Sequence, residues 1–235
     1  VSMHGRGGGV IVAVMSPLAT RPVAPPFLAA FVAMHDAMRR DLVVLPTAIR
    51  RAVERDDVHA LRRWFGHVRA TIEHHHHLED DALWPELDTR LPGFLAGTTE
   101  LTTDHHRLDD ALDAVSRTLA ELTDAAGSVD AAVVAAAELH ELLTDHLDRE
   151  EAIVFGPIGK VFTADEYCEW EARAAKGTPF ALFAFGLPWL LDGVEPATQR
   201  VVLEPMPAAA RLLFRPFRWW YERIAAPVRG IPDQM

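Results

Sequence analysis

The chain has 235 residues, of which 49% are hydrophobic, and a formal net charge of −11 at neutral pH. This length is enough for one domain of about 130 residues and a substantial addition. The acidic charge argues against a general nucleic-acid-binding protein, because such proteins present a basic surface to phosphates. Cys168 is the only cysteine, which excludes an internal disulfide bond and a cysteine-based zinc or iron–sulfur site.

The first 26 residues are rich in glycine and proline, a composition that predicts a flexible leader. Its apolar stretch, from Gly7 to Val14, is too short for a convincing secretory signal. We therefore expect a cytoplasmic protein.

Four amphipathic helices are predicted over residues 27–160, because apolar residues recur there in steps of three and four. The first helix is expected to continue past Pro46, where a kink or an end should follow. Asp56 and Asp57 are the expected N-cap of the second helix, and Pro85 together with Pro92 and Gly93 marks its end.

The third helix is expected to end near residues 126–128, after an N-cap provided by one of four threonines. The fourth is predicted from about Val129 to Phe155, where Gly156 and Pro157 should stop it. Short connections favour antiparallel neighbours. We therefore expect an all-α fold, an up-down antiparallel four-helix bundle with a C-terminal helical extension. The candidate N-cap threonines are Thr98, Thr99, Thr102 and Thr103.

Each predicted helix carries a histidine on its apolar face, and two helices add a glutamate four residues later. Side chains four residues apart project from one face of a helix. Burying such groups without partners is costly, so they are expected to share a metal centre. Helix bundles with inward Glu and His build two-iron sites in this way, and the carboxylates favour iron or manganese. The predicted metal ligands are His35, His75, Glu79, His105, His146 and Glu150.

Four consecutive histidines, at positions 74–77, leave the rotation of the second helix open. His75 continues the apolar stripe that leads to Glu79, which favours His75 as the inward residue. A helix rotated by one residue stays an alternative, because two other pairs have the same four-residue spacing. These alternatives are His76 with Asp80 and His77 with Asp81.

One of two adjacent histidines on the third helix is expected to face the core. His106 shares its face with Asp109, Asp110 and Asp113, which indicates exposure to solvent. His105 is therefore predicted to be the inward residue.

Several segments of the chain resemble the hemerythrin-like proteins, also called HHE cation-binding domains. The segment from His75 to Pro85 resembles the second-helix signature of that family, a His followed four residues later by Glu and then by Leu, an aromatic residue and Pro. The segment from His146 to Glu151 resembles the fourth-helix signature. The resemblance covers roughly residues 27–160. The other matching elements are His35 with Asp36 on the first helix and Asp104 with His105 on the third.

The resemblance implies a non-haem di-iron centre, in which oxo or hydroxo groups and carboxylates bridge two iron ions. Glu79 and Glu150 would be the bridging carboxylates among the six ligands named above. Oxygen-carrying members have a second histidine one turn along the third helix, where this chain has Asp109. They also have an Asp five residues after the last His, where this chain has Glu151. With one histidine fewer, an open position on one iron is expected, and this favours reactivity over oxygen carriage.

Two functions of different classes follow from this resemblance. The first is binding or sensing of oxygen or nitric oxide by the di-iron centre. The alternative is a catalase-like or peroxidase-like enzyme that acts on peroxide or nitric oxide, although no catalytic residue is assigned. Iron buffering is a weaker third reading. The expected partner is thus a small diatomic molecule or peroxide, and not nucleic acid.

Residues 161–235 are predicted to form a helical extension that packs on the bundle or at an interface. One helix is expected over Ala164–Ala175, with Thr163 or Asp165 as its N-cap. The apolar run from Pro179 to Leu191 is shorter than the ~20 residues needed to cross a bilayer. This run is therefore expected to pack on the bundle.

The last predicted helix is amphipathic, with an apolar face and an arginine-rich face. Docking on the bundle, with the arginines in solvent, is the favoured interpretation. A homodimer interface or contact with a membrane surface are the alternatives, because basic amphipathic helices with Trp do either. The apolar face consists of Leu213, Phe217, Trp220 and Ile224, and the basic face of Arg211, Arg215 and Arg218.

Overall fold

The computed structural model describes residues 21–229 of the chain. These residues form helices and connections, and no strand occurs among them. The all-α prediction is therefore confirmed. Most of the predicted leader, residues 1–20, lies outside the described residues.

Connections between the helices are short. A 3₁₀ turn and a π-helical turn accompany the α-helices. The elements in chain order are the 3₁₀ turn Pro26–Leu28, α1 (Ala29–Glu54), α2 (Val58–Leu78), the π turn Glu79–Leu83, α3 (Trp84–Arg90), α4 (Phe94–Ala120), α5 (Ala126–Val161), α6 (Ala164–Ala175), α7 (Phe180–Leu190), α8 (Pro196–Leu203) and α9 (Ala208–Arg229).

Prolines do not end the two long helices that contain them. α1 continues past Pro46 to Glu54, as expected. The predicted stop of the fourth helix at Gly156 and Pro157 is wrong, because α5 continues to Val161 with Pro157 inside it. Ile158, the next residue, is completely buried. Apolar packing of this last turn therefore outweighs the local cost of a proline, about 3 kcal/mol.

The start of α4 differs from the prediction that one of four threonines caps it. α4 begins at Phe94, after Gly93, whose φ of 93° lies in the left-handed region that favours glycine. The carboxylate Oδ1 of Asp88 accepts hydrogen bonds from the backbone N–H groups of Gly93 and Leu95, both at 3.0 Å. A carboxylate from the preceding helix thus satisfies amides that a threonine was expected to cap.

A π-helical turn, Glu79–Leu83, joins α2 to α3 without a break in the helix. The N–H of Trp84 donates to the carbonyl of Glu79, five residues earlier. Such turns contain one residue more than an α-helical turn and often occur at functional sites. The wider turn allows both Glu79 and Trp84 to face the interior, where they are 2% and 1% exposed.

The long helices pack in a closed ring: α1 contacts α2 and α5, and α4 also contacts α2 and α5. Their inward faces form two apolar clusters at different levels along the ring. The upper cluster includes Met38, Leu108 and Leu147 and continues into α7 and α9. The lower cluster includes Phe31 and Leu101.

The C-terminal helices pack on one side of the ring, as expected for the apolar run that contains α7. α7 and α9 contact each other and also α1 and α2. α6 has the predicted bounds, and Thr163 and Glu166 form a reciprocal capping box at its start. Of the predicted apolar face of α9, Phe217 and Ile224 are buried and Trp220 is partly buried, whereas Leu213 is 39% exposed. Within the described residues, no helix combines the length and apolar character required to span a membrane.

Candidate metal centre

The predicted ligands lie at one level of the ring, between the two apolar clusters. On α1, His35 follows Phe31 of the lower cluster and precedes Met38 of the upper cluster. On α4, His105 lies in the same way between Leu101 and Leu108. The histidines and glutamates therefore form a polar layer inside an otherwise apolar core.

The polar layer contains two groups of potential metal ligands, and within each group the ligand atoms lie within 4.8 Å of one another. Each of the six predicted ligands belongs to one or the other of these two groups. A seventh residue, His76, joins them. The first group is His35, His75, Glu79 and Glu150, and the second is His76, His105 and His146.

Ring nitrogens in the first group converge on a common point. His35 Nε2 lies 3.1 Å from His75 Nε2, and His75 Nε2 lies 3.0 Å from Glu79 Oε1. Two ligand atoms that each lie about 2.1 Å from one ion, at right angles, are separated by about 3 Å. These distances therefore fit neighbouring ligands of one metal ion.

Glu79 and Glu150 extend between the two groups. Glu79 directs Oε1 toward His75 and places Oε2 3.6 Å from His105 Nε2 in the second group. Glu150 Oε2 lies 3.6 Å from His35 Nε2 and 3.4 Å from His146 Nε2. Each carboxylate thus reaches a histidine of both groups, as a bridging ligand must.

His76 is the site residue that the sequence analysis did not select. Its side chain is 2% exposed, and its ring stacks on His105 with a centroid distance of 4.3 Å. Adjacent helical residues differ by about 100° in direction, so His75 and His76 approach the centre from two sides. Two features of the sequence pointed to His76. His76 and Asp80 have the same four-residue spacing as His75 and Glu79, and Asp109 stands where a further histidine was expected from the resemblance.

Many buried polar atoms of the centre lack hydrogen-bond partners, as expected for a site that binds a cation. Among the described residues, nine of the twelve buried side-chain polar atoms without a hydrogen-bond partner belong to this layer. Leaving such an atom unpaired costs about 1–3 kcal/mol. Metal coordination would satisfy seven of the nine, because an imidazole binds a metal ion through only one of its two ring nitrogens. The nine atoms are both ring nitrogens of His76 and His146, both oxygens of Glu79 and Glu150, and Nε2 of His105.

Burial favours the neutral form of four histidines of the centre, His35, His75, His76 and His105, which is the form that binds metal ions. It lowers the pKa of His75 to about 4. Burial, with the neighbouring histidines, holds the pKa of His76 well below its ordinary value. Burial also lowers the pKa of His35 and His105. The pKa of Glu79 is raised well above its ordinary value by burial, so a cation is needed to keep this carboxylate ionised.

Glu151 orients His35 from outside the first group. Its Oε1 lies 2.9 Å from His35 Nδ1, which leaves Nε2 directed at the centre. Arg21 and Arg39 donate hydrogen bonds to the same carboxylate at 2.6–2.8 Å. Burial opposes ionisation of Glu151, but the hydrogen bonds from His35, Arg21 and Arg39 lower its pKa. Glu151 therefore acts as a positioning residue, and Glu150 is the carboxylate within the centre.

Asp80 has the corresponding role for His105. Its Oδ2 lies 2.8 Å from His105 Nδ1, and its Oδ1 accepts a hydrogen bond from Thr102 at 2.7 Å. A carboxylate on the outer nitrogen of a metal-bound imidazole fixes the ring and increases its basicity. The prediction that paired Asp80 with His76 thus identified a residue of the site but assigned it the wrong partner.

The neighbouring histidines lie outside both groups. His106 and His77 are exposed, and His106 thus has the position expected for it. His74 accepts or donates a hydrogen bond at 3.0 Å to Thr178, in the segment before α7. Asp109, which stands where oxygen-carrying relatives have histidine, is partly exposed and belongs to neither group.

Comparison with known proteins identifies the family. Residues 27–158 match the hemerythrin HHE cation-binding domain, whereas no curated protein and no solved structure gives a significant match. The match includes all seven residues of the two groups. It also covers more than half of the 235 residues. The chain therefore belongs to the hemerythrin HHE cation-binding domain family.

Proposed function

We propose that the protein holds two iron ions, one in each group, and uses them to bind or sense oxygen or nitric oxide. The observation that carries this proposal is the pair of ligand groups joined by Glu79 and Glu150, whose oxygens lack hydrogen-bond partners among the described residues. Mixed imidazole and carboxylate ligands in a helix bundle suit two iron ions. When bound, iron would supply the redox chemistry for the diatomic ligand.

The proposal includes an antiparallel up-down order for α1, α2, α4 and α5. Along α1 and α4, the lower apolar cluster precedes the histidine and the upper cluster follows it. Along α2 and α5, the order is reversed: Ile72 and Leu147 belong to the upper cluster, whereas Leu83 and Val154 belong to the lower one. This alternation supports helices that run in alternating directions.

His76 changes where an open coordination position is expected. The second group has three histidines, whereas the first has only His35 and His75 beside the two shared carboxylates. The open position is therefore assigned to the first group. The ring of Phe31 lies against both of these histidines, with centroid distances of 4.5 and 5.7 Å. An apolar wall at this position favours a small, uncharged ligand.

An enzyme that acts on peroxide or nitric oxide is the second candidate, and Tyr167 favours it. This side chain is 1% exposed and belongs to the lower apolar cluster. Burial raises its pKa well above the ordinary value, and the charges of Glu171, Glu79 and Glu150 add to the effect. The phenol therefore keeps its proton and lies within the electrostatic range of both proposed bridging carboxylates. As a neutral O–H group it would donate a hydrogen bond to peroxide, whereas its raised pKa makes it a weak proton donor.

The first experiment is to measure the metal content of protein produced with iron, followed by optical spectra of the reduced form. About two iron ions per chain are expected. A stable and reversible band after exposure to oxygen supports the binding function. Rapid oxidation with turnover of peroxide supports the enzyme, and protein without bound metal contradicts both.

Replacing both Glu79 and Glu150 with alanine should abolish loading of two metal ions, because each side chain reaches both groups. The control is Glu100→Ala with Glu141→Ala, since both of these glutamates are exposed on the same helix ring. Metal content per chain, measured by elemental analysis, should be normal in the control. Retention of about two ions in the Glu79 and Glu150 variant would rule out the bridging role.

A further inference from the structure

The side of α9 that points away from the ring carries large apolar side chains. Its inner side is buried through residues such as Phe217, Tyr221 and Ile224. On the opposite side, Leu212 is 78% exposed and Trp219 is 56% exposed. We call this surface the outer face of α9. It consists of Leu212, Arg215, Pro216, Trp219 and Arg223, all exposed and all within about 60° of the direction opposite the buried side.

Leu212 and Trp219 are among the most exposed large apolar side chains of the described residues. Their exposure forgoes the free energy that burial of such side chains would contribute. The guanidinium of Arg223 lies 4.0 Å from the centroid of the Trp219 ring. This contact keeps the indole at the surface, close to a positive charge.

The outer face is also basic, within an acidic chain. Residues 208–223 contain four arginines and one glutamate, a local charge of +3, whereas the whole chain carries −11. Glu222 is paired with Arg218 at 2.9 Å. In the part of the chain that the structure describes, Arg215 and Arg223 have no carboxylate partner. They are therefore available to a negatively charged surface.

We propose that the outer face of α9 binds an anionic lipid surface. Leu212 and Trp219 would enter the interface between head groups and acyl chains, where Trp is favoured, while the two arginines contact lipid phosphates. α9 would remain docked on α7, because its buried side chains are not needed for the contact. The acidic remainder of the chain would be repelled by the same surface, and this orients the protein with α9 toward the lipid.

A second copy of the chain fits this surface less well. In a symmetric dimer the same patch would meet itself, so Arg215 and Arg223 would face their own counterparts. Like charges without intervening carboxylates oppose such an arrangement. A membrane of anionic lipid provides both an apolar interior and negatively charged head groups. It thus complements both the apolar side chains and the arginines of the outer face.

The proposal is tested by flotation of the full-length, metal-loaded protein with vesicles. Binding is expected with vesicles of phosphatidylcholine and phosphatidylserine, and not with pure phosphatidylcholine. Each arginine near such a surface contributes about 1 kcal/mol, so the double reversal Arg215→Glu and Arg223→Glu should weaken binding by about tenfold or more. The variant with Leu212→Ala and Trp219→Ala should weaken it by roughly tenfold through loss of apolar contact.

The matched control reverses Arg55 and Arg117 to glutamate, because both residues are exposed and lie outside α9. It gives the same net charge as the α9 reversal and should bind vesicles more tightly than that variant. Circular dichroism and metal content verify that all variants fold. Equal binding by the two reversal variants, or no binding of the wild type to anionic vesicles, would overturn the proposal. Loss of a dimer in sedimentation, without any vesicle binding, would assign the outer face to a second copy and also overturn it.

Discussion

Adjacent histidines on one turn of α2 contribute to different groups of the candidate metal centre. His75 belongs to the group that contains His35, and His76 belongs to the group that contains His105 and His146. Both must reach the centre although adjacent residues on an α-helix point about 100° apart. The two imidazoles thus lie on different sides of the polar layer. Loss of either histidine should affect one bound ion more than the other.

Replacing His76 with alanine should reduce the metal content from about two ions to about one per chain, because the second group loses one of its three nitrogens. His77→Ala is the matched control, since this neighbour is exposed and lies outside both groups. Elemental analysis of both purified variants measures the difference. Unchanged metal content in the His76 variant would remove this residue from the centre.

At the scale of elements, a buried charge cluster ties α7 and α9 to α1. Asp41 on α1 is 1% exposed and accepts a hydrogen bond from Trp189 Nε1 of α7 at 2.6 Å. Arg229 of α9 donates to both oxygens of Asp41, at 2.7 and 2.8 Å. Arg40 contacts the same carboxylate at 2.8 Å. The extension is therefore fixed to the ring by directional bonds in addition to apolar packing.

Asp41→Ala should lower the free energy of unfolding by about 3 kcal/mol, because it leaves the buried Trp189 Nε1 without its acceptor and the mostly buried Arg229 with Asp192 as its remaining carboxylate partner. The comparison is Asp130→Ala, which breaks an exposed pair with Arg50 at 3.4 Å. That change should cost no more than about 1 kcal/mol. Urea unfolding followed by circular dichroism measures both values. Equal losses in the two variants would show that the cluster does not hold the extension.

At the scale of the whole molecule, the stability of the metal-free protein should depend on pH. In the folded state, burial lowers the pKa of six histidines below the ordinary value of 6.5. As the pH falls below about 6.5, the unfolded chain binds more protons than the folded one, so the folded state loses stability. The six residues are His35, His67, His74, His75, His76 and His105.

Three acids oppose this trend, because burial raises the pKa of Glu79, Asp109 and Glu171, the last to about 7. The histidines outnumber them, so the free energy of unfolding of chelator-treated protein should rise between about pH 5 and pH 6.5. Urea titrations at several pH values measure it. The slope should be smaller in His76→Ala. A stability that stays constant or falls over this interval would contradict the prediction.

Much of the candidate site could be predicted from local sequence. The apolar period of 3.6 residues and, on two helices, the four-residue His–Glu spacing selected six of the seven residues of the two groups. The six residues are His35, His75, Glu79, His105, His146 and Glu150. Their role as metal ligands stays a prediction, as does the division of the chain at residue 160. The family assignment is confirmed.

The remaining features depend on tertiary contacts that a local pattern does not contain. A single apolar stripe assigns one inward histidine to α2, whereas His76 becomes inward only because α4 places His105 beside it. The carboxylate of Asp88, and not a threonine hydroxyl, accepts hydrogen bonds from backbone N–H groups at the start of α4, because the turn at Gly93 folds back on α3. Two partners of Asp41, Trp189 and Arg229, come from helices more than a hundred residues away in sequence.

The π turn Glu79–Leu83 makes the helix from α2 to α3 sensitive to its length. The first residue of the turn, Glu79, points at the metal layer, and the residue after the turn, Trp84, enters the lower cluster. Removing one of the last three residues of the turn, 81–83, would restore α-helical spacing and rotate α3 relative to α2 by up to about 100°. Trp84 would then leave the core while the metal layer stayed in place. Single-residue deletions should therefore be tolerated in the loops of this protein but not at these three positions.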